Sequence, residues 1–277
     1  MNKKAVSIEP SELIRFLDQE LNELPDKRKG SNSKYTVKNA VKAAFSVFFT
    51  QSSSFLEHQK LMKEKKGKDN AQSLFGLEEI PCDNQIRNLL DPIAATTVFG
   101  TFKTVYEWLS KNKIINQFKG LDNQILLVLD GTEYYCSKKL NCPRCNSRKH
   151  RNGSISYYHQ VVTPVIVSPS KKQVINLAPE FIKKQDGENK QDCENAAVKR
   201  WLLNNPLHNT NKPITLLGDD LYSHQPICEL ALNQGYNFIF VAKSSSHKNL
   251  YEWIDFLEKN KEIRTGIIKK YEQGKQR

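Results

Sequence analysis

Residues 125–135 read ILLVLDGTEYY. The aliphatic run Ile125 to Leu129 is too short for a buried helix and suits a strand covered on both faces. It stops at Asp130, and Gly131 follows, so the strand hands a carboxylate to a turn. The same pattern recurs at residues 214–222, ITLLGDDLY, where an apolar strand and a glycine precede Asp219 and Asp220. Adjacent strands ending in acids can bring them together at the carboxyl edge of a sheet. Converging carboxylates repel one another unless divalent cations neutralise them, so Asp130 and Asp219 are candidate ligands for Mg²⁺ or Mn²⁺. Two such ions can activate a water or a 3′-hydroxyl and stabilise the leaving oxygen of a phosphodiester.

Working outward, 155–167 (ISYYHQVVTPVIV) is a second β-rich stretch and 173–177 a third. A helix over 189–203, a strand over 214–217, a helix over 226–233, a strand over 238–242 and a helix over 250–257 follow. Three strands first, then alternating helices and strands, predict an α/β fold: a ribonuclease H-like mixed sheet with flanking helices. Residues 1–118 read as an all-helical N-terminal region. Leu13, Phe16, Leu17, Leu21 and Leu24 form one apolar face that Pro25 ends, and Val37, Ala40, Val41, Ala44, Phe45 and Phe48 form a second. The expected division is 1–118, a helical DNA-binding region, and 119–277, the catalytic domain, with a basic Cys-rich insertion at 136–153.

The chain has 277 residues, and 42 Lys+Arg against 30 Asp+Glu give it a net charge of +12. That excess favours a polyanionic partner, because Lys and Arg release counterions from phosphates. No apolar run approaches the roughly 18 residues of a membrane span, and the N-terminus lacks the apolar core of a signal peptide. The expected location is cytoplasmic and nucleoid-associated. No glycine-rich phosphate loop and no G-x-S-x-G occurs, which disfavours ATPase and serine-hydrolase chemistry.

Of the six cysteines, Cys136, Cys142 and Cys145 lie close together. Cys142-Pro-Arg-Cys145 is a C-x₂-C that can present two thiolates to one Zn²⁺, and His150 follows. Ile155 stands where a zinc knuckle would have its fourth ligand, so Cys136 or His159 is the substitute. Lys138, Lys139, Arg144, Arg148, Lys149 and Arg151 lie in the same segment without an acid, which suits a metal-stapled basic loop that meets phosphate. Asp186, Lys190, Asp192, Glu194, Lys199 and Arg200 form a second charged segment. Its Lys199 and Arg200 are candidate DNA contacts, and a solvated helix face is the plain alternative. Trp201 reads as core, His224 as the start of a helix, and His58, His208 and His247 as surface residues. Cys82, Cys193 and Cys228 read as buried thiols, and Glu133 as solvent-facing.

LDGTEY (129–134), PEFIKKQDGENKQDCENAAVKRWL (179–202) and GDDLYSHQPICELALNQGYNFIFVAK (218–243) together resemble the DDE transposases of bacterial insertion sequences. Residues 24–59 and 80–92 resemble the helical region that precedes their catalytic domain. The resemblance implies a metal-dependent transposase that binds element ends, cleaves a phosphodiester and joins the 3′-hydroxyl to target DNA. Its partners would be double-stranded DNA, at element ends and target, and a second copy in a homodimer on DNA, with no membrane. Asp130, in the strand-end D-G-T, would be the first catalytic acid, and Asp219, three residues before Tyr222, the second, with Asp220 its rival. The family's third acid is a Glu on a later helix, and only Glu262 and Glu272 lie in the tail. The expectation is therefore an N-terminal fragment lacking that acid, and a compact variant with Glu262 as the third acid is the plain alternative. The alternative is a non-catalytic DNA-binding protein, a truncated transposase acting as a repressor or inhibitor.

Overall fold

The computed structural model describes residues 8–26, 28, 34–64, 70–183, 193–205, 207, 213–264, 266, 271–272 and 275–276. Asp186, Lys190, Asp192 and His208 lie outside the described residues, as does the side chain of Glu272. The chain divides into two compact units: 1–126 with 161–181, and 127–160 with 182–277.

The first unit opens with helices α1 (Pro10–Leu21), α2 (Val37–Phe49), α3 (Phe55–Glu64), α4 (Asn70–Phe75), α5 (Asp83–Leu90) and α6 (Gly100–Lys111). Pro10 starts α1 where a missing N–H costs nothing. Thr36 caps α2 by accepting the Asn39 N–H at 3.1 Å. Ile14, Ala43, Phe75, Leu77 and Ile86 form a core to which Phe55, Met62 and Leu90 add.

Helix α2 is rotated from the face its apolar residues suggest. It buries Val37, Ala40, Lys42, Ala43, Ser46 and Val47, while Phe45, Phe48 and Phe49 are exposed. Two polar partnerships make this face tolerable. The Lys42 ammonium meets Asp18 at 3.0 Å, and Ser46 Oγ lies 2.9 Å from Nε2 of His58. His58 is buried, not a surface residue, and its Nδ1 lies 2.9 Å from Ser52 Oγ.

The strands are β1 (Ile125–Val128), β2 (Gly131–Ser137), β3 (Asn146–Lys149), β4 (Ile155–Val162), β5 (Val165–Val167), β6 (Ile175–Asn176) and β7 (Glu180–Ile182). Then come α7 (Glu194–Asn204), β8 (Ile214–Gly218), α8 (Gln225–Asn233), β9 (Asn237–Phe240), α9 (Lys248–Lys259) and the short antiparallel pair β10 (Tyr271–Glu272) and β11 (Lys275–Gln276). The main sheet has the order β6-β5-β1-β8-β9, with β5 and β6 antiparallel and β8 and β9 parallel. This mixed sheet, preceded in sequence by a helical N-terminal region, is consistent with a ribonuclease H-like fold. The stretch 155–167 is two strands in two sheets, separated at Thr163-Pro164. Pro164 has no N–H for a ladder, and its carbonyl accepts the Leu177 N–H at 3.0 Å. The second sheet, β2-β4-β3 with β7 also on β4, takes in the Cys-rich segment.

In the second unit Trp201, Ala197, Val198 and Leu202 bury one face of α7, so Trp201 is core as its sequence suggests. His224 is the N-cap of α8. Cys82 and Cys193 are exposed rather than buried, and Cys228 is half-buried. Among the described residues, no helix is long and apolar enough to cross a membrane.

The Lys42–Asp18 pair gives a stability test. Asp18→Ala strands a buried ammonium and should cost about 1.5–3 kcal/mol in urea unfolding. Lys42→Met, which removes the charge, should be nearly neutral. Equal losses from both substitutions would contradict this account.

Candidate catalytic edge and cysteine-histidine cluster

The backbone places the two aspartates first. Leu129 N–H donates to Leu217 O at 2.9 Å, tying the end of β1 to the end of β8. Asp130 and Asp219 each follow within two residues of that bond, and both are exposed. Asp219 Oδ1 accepts the Leu221 N–H at 2.9 Å, which shapes the turn after β8. That turn drives Tyr222 inward, where it is completely buried and its ring lies 6.2 Å from that of Phe240. Gly218 is required for this packing, because a Cβ there would collide with the Tyr222 ring.

The Tyr222 hydroxyl donates to Glu194 Oε1 at the first turn of α7. The Glu194 carboxylate also lies against Gly131, where any Cβ would collide with it. Glu194 therefore stands beside the residue that follows Asp130. Burial raises the Tyr222 phenol well above the usual tyrosine range, and the bond to Glu194 and the charges of Glu194, Asp219 and Asp130 raise it further. Three carboxylates from three elements thus act on one buried phenol. Glu194 is the residue that sequence reasoning missed in this role.

Asp219 and its neighbour are separated by what they bind. Asp220 Oδ1 accepts the Lys243 N–H at 2.5 Å and its Oδ2 the Ser246 hydroxyl at 2.6 Å, with His247 Nε2 at 3.5 Å. The Ser246 bond, then the Lys243 bond, holds the Asp220 carboxyl below its ordinary range. His247 lies 2.5 Å from Ser223 Oγ and stacks on His224, so it is an internal contact of this loop. Asp220 anchors the segment after β9, which leaves Asp219 as the acid of the turn. Glu262 lies in the exposed turn that ends α9.

The second cluster is set by the β3–β4 hairpin. Its antiparallel register pairs Asn146 with Tyr158, and one step further the same register faces Cys145 with His159. Cys142 and Cys145 Sγ each lie 3.3 Å from His159 Nε2, and 3.7 Å from one another. The Cys142 N–H donates to Cys145 Sγ at 3.2 Å. Cys145 is buried and Cys142 exposed. Burial lowers the His159 pKa, which favours the neutral ring. Tyr134 stacks on His159 at 5.8 Å, and Tyr135 lies at 5.6 Å. His150 is not in this group: its Nε2 lies 2.8 Å from Ser156 Oγ, inside the hairpin turn. Cys136 is exposed on β2 and also falls outside the group.

The basic candidates are distributed around this hairpin. Lys138 and Lys139 are exposed in the bend after β2, Arg144 in the turn between Cys142 and Cys145, and Arg151 in the turn after β3. Lys149 is exposed on β3. Arg148 pairs with Glu133 at 3.1 Å and lies 4.6 Å from the centre of the Tyr158 ring. Lys199 and Arg200 are half-buried on α7.

No protein-family model matches the chain, and no curated protein sequence does. Among solved structures it is similar to the piggyBac transposase in a cryo-EM synaptic complex with hairpin DNA. The identity is 12% and the TM-score 0.38, over 86% of this chain and 49% of that one. This chain therefore spans about half the length of that transposase chain.

A raised phenol pKa keeps Tyr222 protonated throughout the working pH range. Ionisation in the unfolded chain but not in the folded one withdraws stability as pH rises above about 10. The 295 nm titrations of wild type and Tyr222→Phe should therefore coincide until alkaline unfolding. Wild type should lose stability more steeply above that pH. One extra phenol titrating in folded wild type would refute the assignment.

Proposed function

We propose that this chain is a DNA strand-transferring enzyme of the DDE transposase class, and that Asp130, Asp219 and Glu194 form its acidic site. The observation that carries this reading is the Leu129–Leu217 hydrogen bond at 2.9 Å, which ties together the strand ends that bear Asp130 and Asp219, with Glu194 against the adjoining Gly131. Hard carboxylate oxygens at an exposed strand edge suit Mg²⁺ or Mn²⁺ better than a soft metal. Such ions, when bound, polarise a phosphoryl oxygen and favour ionisation of the attacking hydroxyl. The protein's own residues do the positioning. Asp130 and Asp219 present their carboxylates from the tied ends of β1 and β8. Tyr222 fixes Glu194 Oε1 and orients the carboxylate beside Gly131. Asp220 and Ser246 hold the neighbouring loop, so the Asp219 turn keeps its shape.

Lys138, Lys139, Arg144, Lys149 and Arg151 supply phosphate contacts, and Arg148 adds one beside Glu133. The substrate is double-stranded DNA, at element ends and at a target, and a pair of copies would hold two ends together. Glu194 supplies the third carboxylate in this reading.

Cleavage of DNA carrying the element's ends tests the proposal. Activity should require Mg²⁺ or Mn²⁺, and Asp130→Asn or Asp219→Asn should lower it about 100-fold or more. DNA affinity should stay within about threefold, because these acids do not neutralise phosphate. Asp220→Asn should lower thermal stability more than cleavage. Metal-independent cleavage, or full activity in Asp130→Asn, would overturn the assignment. Metal-insensitive binding without cleavage would favour the repressor reading. Replacing Lys138, Lys139 and Arg151 with Gln should flatten the slope of log affinity against log salt by about 0.9 for each phosphate that is no longer neutralised.

A further inference from the structure

We propose that Cys142, Cys145 and His159 bind a zinc ion as its three protein ligands. The inference rests on the hairpin geometry and is independent of the carboxylate edge. Zn–S bonds of about 2.3 Å and Zn–N bonds of about 2.0–2.1 Å give tetrahedral edges of about 3.8 Å between sulfurs and about 3.5 Å between sulfur and nitrogen. The observed separations are 3.7 Å between Cys142 and Cys145 Sγ and 3.3 Å from each sulfur to His159 Nε2. A disulfide would need about 2.05 Å, so the two thiols stand apart as ligands do. Among the described residues, this is the group of Cys, His, Asp and Glu whose ligand atoms all lie within 4.8 Å of one another.

The surroundings suit a metal. The Cys142 N–H points at Cys145 Sγ, the kind of bond that stabilises a thiolate. Tyr134 stacks on the His159 ring and fixes its plane. The Tyr135 hydroxyl donates to Leu140 O at 2.9 Å and ties β2 to the loop that leads into Cys142. Three protein ligands leave the fourth tetrahedral position to water. On binding, each thiol gives its proton to solvent and the imidazole ligates neutral. The ion would cross-link the loop that carries Cys142 and Cys145 to β4, holding the basic hairpin in one shape.

The full chain, purified without chelator and with neither DNA nor Mg²⁺, should carry about one zinc per molecule by elemental analysis. Cys142→Ser, Cys145→Ser and His159→Gln should lose it, and Cys136→Ser should keep it. His150→Ala should retain it fully. Cobalt substitution of wild type guards against misfolded variants: tetrahedral thiolate coordination gives intense near-ultraviolet charge-transfer bands. Absence of zinc with absence of those bands would overturn the proposal, as would stoichiometric zinc in folded His159→Gln. Because the readout is metal content and spectrum, a failure here is distinct from a failure of the cleavage reading.

Discussion

The buried hydrogen bond from Tyr222 to Glu194 sets the character of the carboxyl edge. Acids brought to one sheet edge repel one another, less so where water screens them than in the interior. Tyr222 offsets part of that repulsion by donating a proton to one of them from inside the core. The bond constrains everything around it. The Tyr222 ring needs Gly218 beneath it, and the Glu194 carboxylate needs Gly131 beside it. Neither glycine adopts a left-handed backbone here. Each is needed because a side chain would occupy space that the Tyr222–Glu194 pair already fills.

Strand pairing explains how Asp219 and Asp220 divide their work. The parallel register sets Gly218 opposite Phe240, so the segments leaving β8 and β9 run side by side. Asp220 can therefore reach the Lys243 amide and the Ser246 hydroxyl. Asp219 instead folds back on Leu221. One carboxylate fastens the floor of the edge while its neighbour remains on the exposed rim. Neutralising Asp220 would loosen the loop and disturb Asp219 only through it.

Much of this is legible in the sequence, for reasons that differ by element. The strands β1 and β8 are visible because short aliphatic runs ending in Asp have few other readings. Helix α2 is misplaced in rotation, because an apolar count assigns Lys42 and Ser46 to solvent. Asp18 and His58, which make their burial tolerable, are distant in sequence. Glu194 reads as part of a charged helix face, since its nearness to Asp130 depends on where α7 begins relative to β1. The one local signal is that it is the acidic residue of α7, placed in the first turn. His150 looks like a ligand by proximity to Cys145, whereas the antiparallel return of β4 brings in His159 instead. A spacing rule counts along the chain, and hairpin register counts across it.

The two clusters differ in the ions they could discriminate. Carboxylate oxygens at an exposed edge bind hard, well-hydrated cations weakly and exchangeably, as a site that turns over substrate needs. Two thiols and an imidazole, packed beneath tyrosine rings, prefer a soft ion and hold it tightly. Cellular Mg²⁺ would compete poorly for sulfur. Carboxylate oxygens favour the abundant hard cation over scarce zinc. Donor softness would thus let one chain keep a structural ion in its basic hairpin and an exchangeable ion at its acidic edge, without a separate sorting device.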